Sequence, residues 1–261
     1  RRAMQMCEPG MLESQLEAEL TYEFMSHGAR SPAYPCIVGG GENACVMHYA
    51  DNTAVLKKND LVLIDAGCEY QHYAADVTRT FPVSGQFSVA QHKLYDIVLK
   101  ANEAAISQCL PGNYFNAPHE AAVRVMVEGL VELGLLEGEI DDIIATEDYK
   151  AFCPHKTSHW LGIDVHDVGD YRIDTRWRDF EPGMVLTIEP GIYIPGDETT
   201  AHLPNIYRGI GIRIEDDVLI TRQGCEVLTD DVPKQPAEIE ALMAEPFVQA
   251  PRVQSRRRSA R

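Results

Sequence analysis

"DLVLIDAGCEYQHYAADVTRTFPV" occupies residues 60–83. Residues 61–64 form an unbroken apolar run of strand length that ends in Asp65. A turn follows, and then a second strand-like run, rich in Val and Thr, that carries Asp76. An unpaired carboxylate in apolar surroundings costs several kcal/mol or loses its charge, so each acid needs a reason. The arrangement recurs. "PGMVLTIEPGIYIP", residues 182–195, ends a similar run in Glu189, and "RGIGIRIEDDVLIT", residues 208–221, carries Glu215 within a strand pattern. Each half of the chain thus sets helical material beside an apolar strand ending in an acid, followed by a strand holding another. This is a faint internal symmetry.

The surrounding segments fill in the frame. "MLESQLEAELTYEFMSHGA" spaces Leu12, Leu16, Leu20 and Phe24 four apart and reads as an amphipathic helix stopping at Gly28. "YPCIVGGGENACVMHY" reads as a glycine-broken strand ending at His48. Its triple glycine has no GxGxxG spacing and no following helix, which excludes a phosphate loop. Two long helical patterns, 88–110 and 117–136, meet at Pro111-Gly112, and a last helix covers 236–245.

For any one acid, ending a strand or pairing with Arg79 or Arg213 is a sufficient account. For four acids in matched contexts it is not. Two divalent cations would balance four carboxylates and leave room for a hydroxide. One imidazole would complete an oxygen-rich site suited to Mn, Co, Fe or Zn. "HKTSHWLGIDVHDVG", residues 155–169, offers His155, His159 and His166, with Gly162 and β-branched residues interrupting any continuous helix. The glutamate of an HExxH motif is absent between the first two. Spacing does not choose among the three.

Bulk composition narrows the function classes. A net charge of −17 disfavours binding to a phosphate backbone, so nucleic acid is excluded as a partner. The segment 246–261 runs the other way, with five arginines and no acid, and reads as a disordered basic tail. Seven cysteines without a CxxC pair point to a reducing, cytoplasmic compartment. No apolar run reaches the ~18 residues of a membrane span. The chain opens at Arg1 inside a helical pattern, which reads as a fragment.

The segments "LVLIDAGCEY…ADVTRTFPV", "SHWLGIDVHDVG", "GMVLTIEPGIYI" and "YRGIGIRIEDDVLIT" resemble the catalytic domain of the Xaa-Pro aminopeptidases, within the wider pita-bread metallopeptidases. The resemblance implies an α+β pita-bread fold over 1–245, a pseudo-twofold curved antiparallel sheet flanked by helices. The N-terminal domain usual in the family is absent from this sequence. It implies five ligands for two divalent ions, Asp65, Asp76, His159, Glu189 and Glu215, with Asp76 and Glu215 bridging. Manganese is the expected metal, with Co, Fe and Zn as alternatives. A metal-bridging hydroxide would cut the N-terminal Xaa-Pro bond of a peptide with proline second. His48, His155 and His166 would line the cleft, and Glu189 would shuttle the proton. Arg213 and Tyr193 would orient neighbouring groups. His27, His72, His92, His119 and His202 are read as ordinary histidines and Cys68 as packing. A homo-oligomer is compatible with the family. Alternatives are a prolidase-type dipeptidase, a methionine aminopeptidase, a noncatalytic peptide-binding module on the same fold and a two-metal phosphoesterase.

Overall fold

The structure is a computed structural model and describes residues 1–247. The disordered tail expected at 246–261 therefore lies almost wholly outside the described residues.

Three antiparallel strands, Ile37–Gly40, Leu61–Asp65 and Thr78–Pro82, form the first sheet, with Leu61–Asp65 in the middle. Leu61, Val62, Leu63 and Ile64 are all buried, as an unbroken apolar run in a central strand requires. The second half repeats the plan. Val185–Ile188, Asp216–Ile220 and Cys225–Val227 form a three-stranded sheet, and Gly191–Ile194 pairs with Ile210–Arg213 beside it. Leu186, Ile188, Ile212 and Ile214 are fully buried. Removing each from water contributes about 2 kcal/mol.

Register places the acids. Asp65 faces Thr78, two residues beyond Asp76. Ile188 faces Asp216, so Glu189 and Glu215 emerge side by side from the other ladder. The halves are joined where Glu215 N–H donates to Thr78 O at 3.0 Å and Thr80 Oγ1 donates to Arg213 O at 3.0 Å. The internal symmetry read in the sequence is thus two sheets, each ending in a pair of acids.

Helices cover this core. Val89–Ile106 starts with a capping box in which Ser88 Oγ accepts from Gln91 N–H and Gln91 Oε1 accepts from Ser88 N–H. It packs along Ala117–Glu132. A Cβ on Gly129 would come within 2.5 Å of Ile97, so glycine permits the close crossing. Asn102, fully buried, donates to Ile188 O at 3.2 Å and pins this helix to the strand that precedes Glu189.

Two readings need correction. The segment 34–49 is not one strand ending at His48. The strand stops at Gly40, and a 3-10 turn, Gly41–Cys45, follows. Gly41 has φ +58°, outside the extended region, so the chain must leave the sheet there. Asp76 and Glu215 are not embedded within strands either. Asp76 lies before Thr78–Pro82, and Glu215 lies between Ile210–Arg213 and Asp216–Ile220. Among the described residues, no helix is long and apolar enough to cross a membrane, and all seven cysteines are free.

Candidate metal centre

A cavity of about 260 Å³ gathers nine of the residues singled out in the sequence: His48, Asp65, Asp76, His155, His159, His166, Glu189, Arg213 and Glu215; Tyr193 is not in its lining. They come from five separate stretches of chain, and the sheet register above explains how the acids reach one place.

Within it, Asp76, His159 and Glu215 each offer a donor atom, and the three atoms lie within 4.8 Å of one another. His159 Nε2 stands 3.4 Å from Asp76 Oδ2 and 3.5 Å from Glu189 Oε1. Its Nδ1 donates to Trp160 O at 3.0 Å, which leaves Nε2 as the atom facing the acids. His155 and His166 are held differently. His155 Nε2 accepts from Tyr193 OH at 2.8 Å, while its Nδ1 donates to Lys156 O at 2.8 Å, so both ring nitrogens are engaged. The His166 ring meets the His159 ring edge-on, with centroids 4.4 Å apart.

Asp65 and Glu189 lie outside the tight triangle. Asp65 Oδ2 is 2.6 Å from Arg213 Nη2, and its Oδ1 accepts from Tyr34 OH at 2.5 Å. The same phenol lies 2.5 Å from Asp76 Oδ1. Arg213 is buried and also donates to Tyr193 OH at 2.8 Å and Thr78 Oγ1 at 3.1 Å. Thr78 Oγ1 in turn donates to Glu215 Oε2 at 2.6 Å. Arg79 pairs with none of the four acids; its partner is Asp216, 2.8 Å away and fully buried.

Electrostatics show what the cluster would take up. Burial pushes Glu189 up to about 7, with Asp76 and Asp65 adding to the rise. Burial also raises Glu215 well above the carboxylate range, followed by the repulsion of Asp76, Glu189 and Asp65. Asp76 is raised for the same first reason. Burial opposes charge on His159, but Asp76 and Glu189 overcome it and lift the imidazole to about 9. Burial, then Arg213, lowers His155 to about 4. A protein of fixed charge thus has to hold protons where four carboxylates meet one guanidinium. Divalent cations would replace those protons, and an oxygen-rich set with one imidazole is the chemistry they take. The residues fit the group.

Sequence reasoning missed Tyr34 and Asp217. Asp217 is buried, and its Oδ2 accepts from Asp76 N–H at 3.1 Å. Its position in the run "EDD" is the only signal in sequence; Tyr34, in "SPAYPC", has none.

Comparison with known proteins bears on this cluster. The profile of metallopeptidase family M24 matches residues 1–222. The chain belongs to metallopeptidase family M24. Among curated M24 relatives, the Xaa-Pro aminopeptidase of Escherichia coli K12 is 55% identical over 93% of this chain and 54% of its own length. The Xaa-Pro aminopeptidase of Haemophilus influenzae is 49% identical over 93% and 55%. The solved aminopeptidase PepP of Pseudomonas aeruginosa superposes with a TM-score of 0.91 at 59% identity, over 93% of this chain and 55% of that one. The fold is therefore the α+β pita-bread fold of this M24 group. The chain spans about half the length of the curated relatives it matches.

Proposed function

We propose that residues 1–245 form the catalytic domain of a metal-dependent aminopeptidase that hydrolyses the first bond of peptides with proline in second position. One observation carries the reading. The four acids and His159 meet in a single cavity, in a chain 55% identical to an Xaa-Pro aminopeptidase.

In this reading Asp65, Asp76, His159, Glu189 and Glu215 hold two divalent ions, with manganese preferred for the oxygen-rich set. Such ions supply Lewis acidity and lower the pKa of water. The protein does the rest. Glu189 takes the proton of the attacking water at a carboxylate oxygen and returns it to the proline nitrogen. That nitrogen belongs to a tertiary amide, so it brings no N–H of its own. His166, whose ring stands against His159, donates to the developing oxyanion, an effect of about 3 kcal/mol. His155 cannot transfer protons freely, because Tyr193 and Lys156 O occupy its two nitrogens. It serves instead as a fixed wall for the proline ring, in a cavity that His48 also lines.

The test is a set of cleavage assays on Ala-Pro-Ala, Ala-Pro and Ala-Ala-Ala, with and without Mn, Co, Fe or Zn. Metal-dependent cleavage of Ala-Pro-Ala alone is expected. Cleavage confined to Ala-Pro would replace the reading with a dipeptidase. Equal cleavage of Ala-Ala-Ala would remove the proline pocket.

A further inference from the structure

Glu13 is a carboxylate with no exposed surface, far in sequence from the metal cluster. Its Oε1 accepts from Gly40 N–H at 2.8 Å and Asn43 Nδ2 at 3.0 Å. Its Oε2 accepts from Tyr49 OH and Ala54 N–H, both at 2.8 Å. All four partners are donors, which matches a group that can only accept. Among the described residues, no lysine, arginine or histidine pairs with it.

The four donors bracket one segment, 40–54, and that segment carries His48. Glu13 grips it at both ends and at two points between. The backbone adds to the grip, since Glu13 N–H donates to Ala54 O at 3.0 Å and Leu56 N–H to Met11 O at 2.8 Å. A Cβ on Gly40 would meet Leu56 Cδ2 at 2.5 Å, so the Leu56 side chain packs close against the backbone that Glu13 holds. On its far side the segment lies against the strand Ile210–Arg213. A Cβ on Gly211 would come within 2.2 Å of Ala44 O. His48 itself sits in a turn closed by Tyr49 N–H to Val46 O at 3.3 Å, with its side chain exposed at the cavity wall. No hydrogen bond to the His48 ring fixes it among the described residues, so its place depends on how the turn is held.

We propose that Glu13 is a positioning residue for substrate binding, holding the 40–54 segment so that His48 stands at the wall of the metal cavity. The proposal rests on the reading of His48 as part of the proline pocket. A buried carboxylate serves better here than an apolar residue, because two backbone N–H groups and two side chains require an acceptor at one point, and a single group satisfies all four. Removing it strands donors inside the protein.

Glu13→Gln is the sharp variant. It keeps the size but leaves one oxygen. Tyr49 OH or the Asn43 amide can turn to accept from the new NH2 group, whereas a backbone N–H, that of Ala54 or of Gly40, cannot. We expect kcat/KM for Ala-Pro-Ala to fall roughly tenfold, mainly through KM, and to change less than about twofold when the same substitution is made in His48→Ala. A loss that multiplies fully with His48→Ala would overturn the proposal, because Glu13 would then act on something else. The imidazole resonances give a second reading that needs no activity. Glu13→Gln should shift the ring signal of His48 and leave that of His119 in place. An unmoved His48 signal refutes the proposal. A shifted signal with His48→Ala fully active supports the positioning and instead defeats the role of His48 in the proline pocket. Tyr49→Phe removes one donor and keeps the other three bonds, so it provides a folded variant in which a smaller change of the same kind is expected.

Discussion

Arg213 Nη2 lies 2.6 Å from Asp65 Oδ2, a buried guanidinium against a half-buried carboxylate in the lining of the cavity. The guanidinium also reaches Tyr193 OH and Thr78 Oγ1, so it ties an acid of the first sheet to the second sheet. Breaking a buried pair by removing one partner leaves an uncompensated charge. Arg213→Gln should therefore cost roughly 3 kcal/mol of stability and lower metal affinity together. Arg213→Lys should rescue little, since a point charge cannot serve three acceptors set apart by a planar fork. Denaturant titration and metal titration of both variants check this; a Lys variant with wild-type values on both would refute it.

Metal binding should release protons. Glu189 stands at about 7, His159 at about 9, and Glu215 and Asp76 are raised, so the metal-free cluster holds protons at neutral pH that ligands must lose. Calorimetry of manganese binding in buffers of different ionisation heat should give on the order of one proton or more released per site filled. Binding with no buffer dependence near pH 7 would contradict the electrostatic account.

His119 gives a pH effect away from the metal. Its Nδ1 bonds Thr157 Oγ1 at 2.9 Å, and Thr157 O accepts from Glu189 N–H, so it props the chain beneath a proposed ligand. Burial first, then the nearby Lys156, lowers it to about 4. A base lowered in the folded state takes up its proton first when unfolded. Its contribution is complete above about 6.5 and is lost as pH falls toward 4, up to about 3 kcal/mol. The stability difference between pH 7 and pH 4 should therefore shrink in His119→Gln by an amount of that order. Parallel stability curves for the two proteins would contradict it.

Asp76→Asn should remove metal-dependent cleavage of Ala-Pro-Ala while leaving the fold largely intact. Asp76 N–H still reaches Asp217 in that variant, so its backbone keeps its anchor. Full activity would show that the Asp76 carboxylate is not a ligand.

The acids were legible in the sequence because local pattern forces them. Asp65 and Glu189 end apolar runs of strand length; residues 61–64 are buried in the central strand of their sheet, and residues 186–188 are buried in the edge strand of the other. The choice among the three histidines was not legible, since it depends on which ring nitrogen is free. In the folded chain His159 stands apart because its Nε2 faces Asp76 at 3.4 Å while its Nδ1 bonds Trp160 O, whereas both His155 nitrogens are engaged elsewhere. Tyr34 and Glu13 were invisible for another reason. Their partners lie 27 to 42 residues away, and a single Tyr or Glu in a helix or loop carries no periodic signal. The bend at Gly41 was misread because a positive φ is a property of the folded backbone, not of three glycines in a row.

The central claim is that paired divalent cations hold the acids of the two sheets together. Anomalous diffraction from crystals grown with manganese tests it most directly. The account predicts two peaks inside the cavity, each within bonding distance of carboxylate oxygens from Asp76 and Glu215, with His159 Nε2 on one of them. A cavity without anomalous density in protein that binds manganese, or metal bound at other residues, would contradict it.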